Sequence, residues 1–160
     1  WGIGLDGEDN VYIADWRNDR IQKFAPDGSF LMTFGESGSE VGQFNRPADV
    51  AVDKEGLIYV ADWRNDRVQV FDAEGRFITE IIGDATLSKW GITKLDANPD
   101  MKMQRDIAQG LEREKFLRGP MGVVVDDQDQ VFIVDSQRNR IQIYRKIPPF
   151  FVGLYDGGRL

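Results

Sequence analysis

The sequence predicts an all-β fold of repeated four-stranded blades, a propeller segment, on three observations. First, a heptapeptide recurs. Ala14-Asp15-Trp16-Arg17-Asn18-Asp19-Arg20 returns unchanged 47 residues later as Ala61-Asp62-Trp63-Arg64-Asn65-Asp66-Arg67. A looser copy, Val134-Asp135-Ser136-Gln137-Arg138-Asn139-Arg140, follows after a further 73 residues. Second, each copy sits among short apolar runs broken by turn residues, the pattern of strands rather than helices. Third, a hydrophobic fraction of 41% with 29% charged residues is that of a soluble globular chain.

The second copy shows the strands best. Asp49-Val50-Ala51-Val52 reads as a short, largely buried strand, turned by Asp53-Lys54-Glu55-Gly56. Leu57 to Ala61 is a second strand, and Asp62 to Asp66 turns it. Arg67-Val68-Gln69-Val70-Phe71 alternates with period two, Ala73-Glu74-Gly75 turns it, and Phe77 to Ile82 is the fourth strand. Four antiparallel strands per repeat of about 40–50 residues is the signature of a propeller blade, whose two apolar faces are buried by its neighbours. A β-sandwich would not account for near-identical copies of one turn.

On the same offsets the blades run over about 1–35, 49–83 and 121–156, in a single propeller segment 1–160. In the third, Pro148-Pro149 stands where the usual turn would be, and Phe150 to Tyr155 fills the fourth-strand slot. An insertion of about 84–118 separates the second and third blades. It starts loosely at Thr86-Leu87-Ser88-Lys89-Trp90-Gly91; Asn98 then reads as a helix cap and Pro99 as the first helical position. Met103, Ile107 and Leu111 follow at helical spacing until Gly119-Pro120. The expectation is a helix lying on the propeller rim over core edges, or a lid or partner-docking element.

The pattern Phe44-Asn45-Arg46-Pro47, Val50-Ala51-Val52-Asp53, Ile58-Tyr59-Val60-Ala61-Asp62 and Asn65 to Phe71 resembles the NHL repeat. The glycine- and serine-rich loop from Gly35 to Gln43 suits that family, and its Gly35-Glu36-Ser37-Gly38 segment, which lacks the Gly-Lys-Ser/Thr of a phosphate loop, is read as a flexible connector. The resemblance covers nearly the whole chain apart from the insertion. It implies six blades, occasionally five, so the three visible here make half of a six-bladed ring. An open half-ring exposes two apolar faces, and soluble monomers rarely expose patches beyond about 300–600 Å². Burying such an area is worth about 10 kcal/mol per face. The expectation is therefore that two chains close one ring head to tail, or that the sequence, which starts at Trp1, is part of a longer chain.

Composition narrows the chemistry. A formal net charge of -7 argues against nucleic acid as the main partner. With no cysteine and no histidine, a thiolate site, the commonest metal ligand and the usual neutral-pH base are all missing. A metal would need oxygen ligands, which selects calcium or magnesium. No stretch approaches the roughly 20 apolar residues of a membrane-spanning helix.

Propeller geometry puts the turn between the second and third strands on the same face as the connection between blades. Trp16, Arg17, Trp63, Arg64 and Arg138 therefore share a rim with the insertion and its Trp90, and these six are the candidate ligand-binding residues. Indoles at turn tips are not demanded by the turn, and Trp beside Arg is the pairing that dominates binding hot spots. The alternative is that each Trp stacks its own Arg or packs beneath the insertion. Asp15/Arg20, Asp62/Arg67 and Asp135/Arg140 flank the same turn and read as structural ion pairs, poor general bases because the cation lowers the carboxyl pKa. The acidic turns at Asp6, Asp53 and Asp126 lack the twelve-residue calcium pattern and read as turn chemistry.

Two functions from different classes follow. One is a non-catalytic scaffold presenting this rim to a protein, peptide or glycan, with no cofactor. The alternative, from relatives of the fold, is a calcium-type metal-dependent lyase or hydrolase with its site at the channel. RNA binding, known in some animal relatives, would need a basic channel face. The resemblance to bacterial members slightly favours an extracytoplasmic location.

Overall fold

The computed structural model describes residues 2–147 and 150–154. Trp1, the Pro148-Pro149 turn and the Tyr155-Asp156 end of the third repeat lie outside the described residues. Twelve strands form three four-stranded antiparallel meanders. The first blade is β1 (Ile3–Leu5), β2 (Val11–Asp15), β3 (Arg20–Phe24) and β4 (Phe30–Phe34). The second is β5 (Pro47–Val52), β6 (Ile58–Asp62), β7 (Arg67–Phe71) and β8 (Phe77–Ile81). The third is β9 (Pro120–Val125), β10 (Gln130–Asp135), β11 (Arg140–Ile147) and β12 (Phe150–Leu154).

The turn between the first two strands is built identically in each blade. Asp6 Oδ1 accepts the backbone N–H groups of Glu8 and Asn10, Asp53 Oδ1 those of Glu55 and Leu57, and Asp126 Oδ1 those of Gln128 and Gln130. These aspartates are turn formers, each satisfying two backbone donors that the strand ladder leaves over.

Blades meet through side chains. β5 packs against β1 on one side and β9 on the other, so the first strands line up side by side. Close approach requires small residues there: a Cβ on Gly4 would lie 2.6 Å from the Val50 carbonyl oxygen. Between the first two blades, Tyr12, Ala14 and Ile21 pack on Val50, Ile58 and Val60. Between the second and third, Tyr59, Ala61, Val68 and Val70 pack on Val123, Val131 and Ile133. The middle blade is consequently buried along the whole of β6 and β7. The outer blades each keep one apolar face open, with Ile3 66% exposed on the first and Ile141 54% on the third.

Two sequence expectations need correction. The segment over 35–38 is not a flexible connector, nor is the rest of the loop to Gln43. Ser37 and Phe44 form a bridge, and Gly38 and Phe44 exchange backbone bonds with Phe44 and Glu36. Arg67 donates to the Glu40 and Gln43 carbonyls at 2.8 and 3.0 Å, while Gln69, fully buried, donates to the Gln43 carbonyl at 2.7 Å and accepts from Gly42 N–H at 3.0 Å. Two buried side chains of the next blade thus absorb the loop's backbone polar groups, which fixes its path.

The helices of the insertion likewise do not cover core edges, although Leu117 at its end is buried in the core between the second and third blades. The insertion holds two short helices, α1 (Lys89–Asp96) and α2 (Pro99–Ile107), packed on one another, and neither buries any residue. Met103 and Ile107 remain 60% and 72% exposed. Leu111 belongs to a separate 3₁₀ turn, and Asn98 spends its side-chain amide on the Lys94 carbonyl rather than on the cap. Ser88 caps α1 through its hydroxyl to Gly91 N–H.

Candidate binding rim

The heptapeptide places its charged ends opposite one another across the hairpin. Asp15 pairs with Arg20, Asp62 with Arg67 and Asp135 with Arg140 in the register of the second and third strands. Nε of each arginine meets the carboxylate at 2.9, 3.1 and 2.7 Å. These are structural pairs. Burial tends to push the Asp15 carboxyl up, but hydrogen bonds from Asn18 and Arg20 outweigh it and hold the group below its ordinary value. Asp62 departs from the sequence expectation. Burial dominates there and pushes its carboxyl up, against the donors on Asn45, Asn65 and Arg67.

In the first two blades the residue just before this arginine joins one blade to the next. Asp19, in the left-handed region at φ 50°, accepts Arg46 N–H at 2.7 Å, and Asp66, at φ 56°, accepts Gly119 N–H at 2.7 Å. Arg46 and Gly119 are themselves left-handed, at φ 62° and 61°, each preceding the proline that opens the next blade. Further bonds run from Arg64 N–H to the Asn45 carbonyl and from Gln137 N–H to the Arg118 carbonyl. Hairpin tips and inter-blade connections therefore form one rim, as the topology requires.

On this rim Trp16 and Trp63 stack, with ring centroids 6.2 Å apart and an interplanar angle of 30°. Both are partly buried, while Arg17 and Arg64 beside them are exposed. Arg64 lies over its own neighbour Trp63 at 5.3 Å. Trp16 takes its cation from the connection instead, with Arg46 at 4.3 Å, a residue that sequence reasoning passed over. The third blade's counterpart of Arg46 is Gly119, where a Cβ would stand 3.0 Å from Trp63 Nε1. Glycine thus supplies no side chain of its own to the second indole where Arg46 covers the first, and the Gln137 amide stands beside it, 2.7 Å from such a Cβ.

Arg138 is on the same rim, facing the insertion rather than the indoles. Its guanidinium donates to the Arg113 carbonyl, and its Nε is buried without an acceptor among the described residues. Trp90 does not join them. It projects from α1, 71% exposed, with Lys94 4.7 Å above its ring and no ring contact to Trp16 or Trp63. Of the six candidate residues, Trp16, Arg17, Trp63 and Arg64 form one surface, Arg138 borders it, and Trp90 stands apart.

Among the described residues no three carboxylates, histidines or cysteines converge as a metal set. No helix in them is long and apolar enough to cross a membrane.

The family model described as NHL repeat matches residues 44–71 and 117–144, the segments carrying the first three strands of the second and third blades. No curated protein matches the sequence. Among solved structures, the chain is similar to virginiamycin B lyase from Staphylococcus aureus, with a TM-score of 0.58 and 12% identity over 97% of this chain and 40% of that one. It is also similar to a chain of the nidogen/laminin complex, with a TM-score of 0.55 and 19% identity over 89% of this chain and 42% of that one. A protein of unknown function from Bacteroides thetaiotaomicron gives 0.58 and 18% over 86% and 32%. The chain thus spans about two fifths or less of the length of these structures, and the likeness is one of fold.

Proposed function

Because the NHL-repeat model matches two of the three blades, we propose that the chain is a binding scaffold whose hairpin rim docks a protein, peptide or glycan. The observation that carries this reading is the Trp16–Trp63 stack with guanidinium groups on either side. Two rigid indoles held by neighbouring blades offer a flat apolar platform at low entropic cost, and exposed arginines supply directional donors around it. The clasp of Asp19 on Arg46 N–H, with the bond from Arg64 N–H to the Asn45 carbonyl, fixes the spacing of the two rings before any ligand arrives, which is preorganisation.

The test is selection of random displayed peptides, alongside a glycan array, on the immobilised chain. Ligands that bind the parent chain and are lost from a Trp16→Ala/Trp63→Ala variant support the rim. Ligands that bind the double variant equally well overturn it.

A further inference from the structure

Arginine is unevenly partnered in this chain. Arg20, Arg67, Arg76, Arg105 and Arg140 each pair with a carboxylate. Arg17, Arg46, Arg64, Arg113, Arg118, Arg138 and Arg145 form no ion pair among the described residues, and all of these but Arg145, on β11, lie on the hairpin rim or on the insertion where it meets that rim. The nearby Asp19 and Asp66 form no ion pair with them; each accepts a backbone N–H of the following connection, and Asp66 also lines the cleft described next. In an acidic chain of net charge -7 this is a local reversal of sign.

Three of these arginines converge. A cleft of about 500 Å³ opens between the second hairpin, the third hairpin and the base of the insertion, lined by Arg113, Arg118 and Arg138. Ile82, Phe116 and Leu117 supply apolar wall, and Asn65 and Asp66 complete it. Arg138 spends a terminal N–H on the Arg113 carbonyl while its Nε–H is buried with no acceptor. A buried donor without a partner costs about 1–3 kcal/mol, more when charged, and the guanidinium groups of Arg113, Arg118 and Arg138 that line the cleft are what an incoming acceptor meets. Planar guanidinium groups match a carboxylate two-pronged, and the apolar wall matches a short aliphatic stem.

We propose that this cleft captures a carboxylate of an acidic peptide segment, a side chain of Asp or Glu or a C-terminal carboxylate. The proposal rests on the rim being the binding surface and names the chemistry that surface selects. A peptide fits better than a nucleic acid, because Phe116 is the one aromatic in the cleft and the remainder of the chain repels a long polyanion.

The experiment is calorimetric titration of the full chain at low salt with a hexaglutamate peptide, a hexaglutamine peptide and a single-stranded oligouridylate. Hexaglutamate is expected to bind, weakening with salt, with hexaglutamine at least tenfold weaker. Arg138→Gln and the exposed Arg118→Glu are each expected to lower hexaglutamate affinity at least tenfold, the second without changing the melting temperature. No hexaglutamate binding, unchanged binding by both variants, or tighter binding of oligouridylate overturns the proposal. Trp16→Ala/Trp63→Ala separates the two readings. If hexaglutamate binding survives in it and fails in the arginine variants, the cleft stands and the indole platform falls.

Discussion

Removing the aspartate of the repeated hairpin is expected to cost very different amounts in chemically identical settings. Asp62 is fully buried and accepts from Asn45 N–H at 2.8 Å, Asn65 Nδ2 at 2.8 Å, Arg67 Nε at 3.1 Å and Gln69 Nε2 at 3.4 Å. Its Arg67 partner keeps only 9% of its side-chain surface. Asp62→Ala removes the more buried of the two carboxylates on that guanidinium, leaving the part-exposed Glu80, orphans the Asn45 N–H and takes one acceptor each from the Asn65 and Gln69 amides, a loss of about 3–5 kcal/mol. Asp15 carries the same sequence context, yet Arg20 is 40% exposed and the carboxylate 21%. Water replaces the lost partner there, so Asp15→Ala should cost about 1 kcal/mol or less. Asp135→Ala falls between, its arginine being 26% exposed. For a chain of this size each kcal/mol moves the melting temperature by about 2–4 °C, so Asp62→Ala should lower it by about 10 °C and Asp15→Ala by a few degrees at most. Urea titrations of the three variants measure the order. Equal losses for Asp15→Ala and Asp62→Ala would refute the argument that burial, and not the pair itself, sets the energy.

Gln69→Leu should cost about 1–3 kcal/mol and expose Gly42 N–H to hydrogen exchange, because the loop over 35–43 loses its buried anchor; unchanged protection at Gly42 would contradict this. Burial pushes the Asp6 carboxyl up, but hydrogen bonds from Asn10, Lys23 and Glu8 outweigh it and hold the pKa at about 2. That contribution is fully present above the unfolded value of about 3.9 and is lost as pH falls toward 2, so Asp6→Asn should flatten the acid limb of the stability profile; parallel profiles for the two proteins would contradict it. Gly4→Ala brings a Cβ within 2.6 Å of the Val50 carbonyl and should loosen the contact of the first two blades by about 1–3 kcal/mol in thermal unfolding, with no loss counting against it. Val68→Ser, fully buried, should cost about 2 kcal/mol or more, whereas Ile141→Ser at the matching position, 54% exposed, should cost under about 1; equal costs in chemical denaturation would mean that Ile141 is covered in solution.

The fold was legible because each blade repeats its instructions locally. The Asp–Arg ends of the hairpin, the Asx turns after the first strands and the period-two runs are all set by residues within about six positions of one another. The Trp tips were legible as a shared rim for the same reason. What the sequence concealed depends on partners further away. The 35–43 loop is fixed by Arg67 and Gln69, 24–27 residues on, and its composition alone speaks only of freedom. One signal was available: glutamine recurs in the third strand of every blade, as Gln22, Gln69 and Gln142, amid apolar neighbours. A polar residue repeated inside a buried strand needs a backbone to bind, and Gln142 indeed points its amide at Asp135 and the Lys115 carbonyl. Arg46 escaped notice because its stacking on Trp16 spans 30 positions and its left-handed backbone is unusual for arginine. The cleft at Arg138 depends on Arg113 of the insertion, whose helices declare a local cap but no docking face.

The three blades are alike in chemistry and unequal in burial, and the difference has a single cause. Tyr59, Ala61 and Val68 face the third blade and are fully buried. Their counterparts on the third blade, Phe132, Val134 and Ile141, are as apolar, yet Val134 and Ile141 are 44% and 54% exposed. On the other side Val50 is 2% exposed and its counterpart Ile3 66%. Residue type tracks position within the blade, while exposure tracks whether a blade stands alongside. Both open faces are therefore blade-contact surfaces by composition and register, distinct from the rim, whose exposed groups are arginines and indole edges. The rim residues have no such counterpart inside the fold: Trp16 and Trp63 are matched by Ser136, and Arg46 by Gly119. Where the repeat is kept, the residues serve packing; where blades differ on one edge, the difference shapes the surface on which the binding proposal stands.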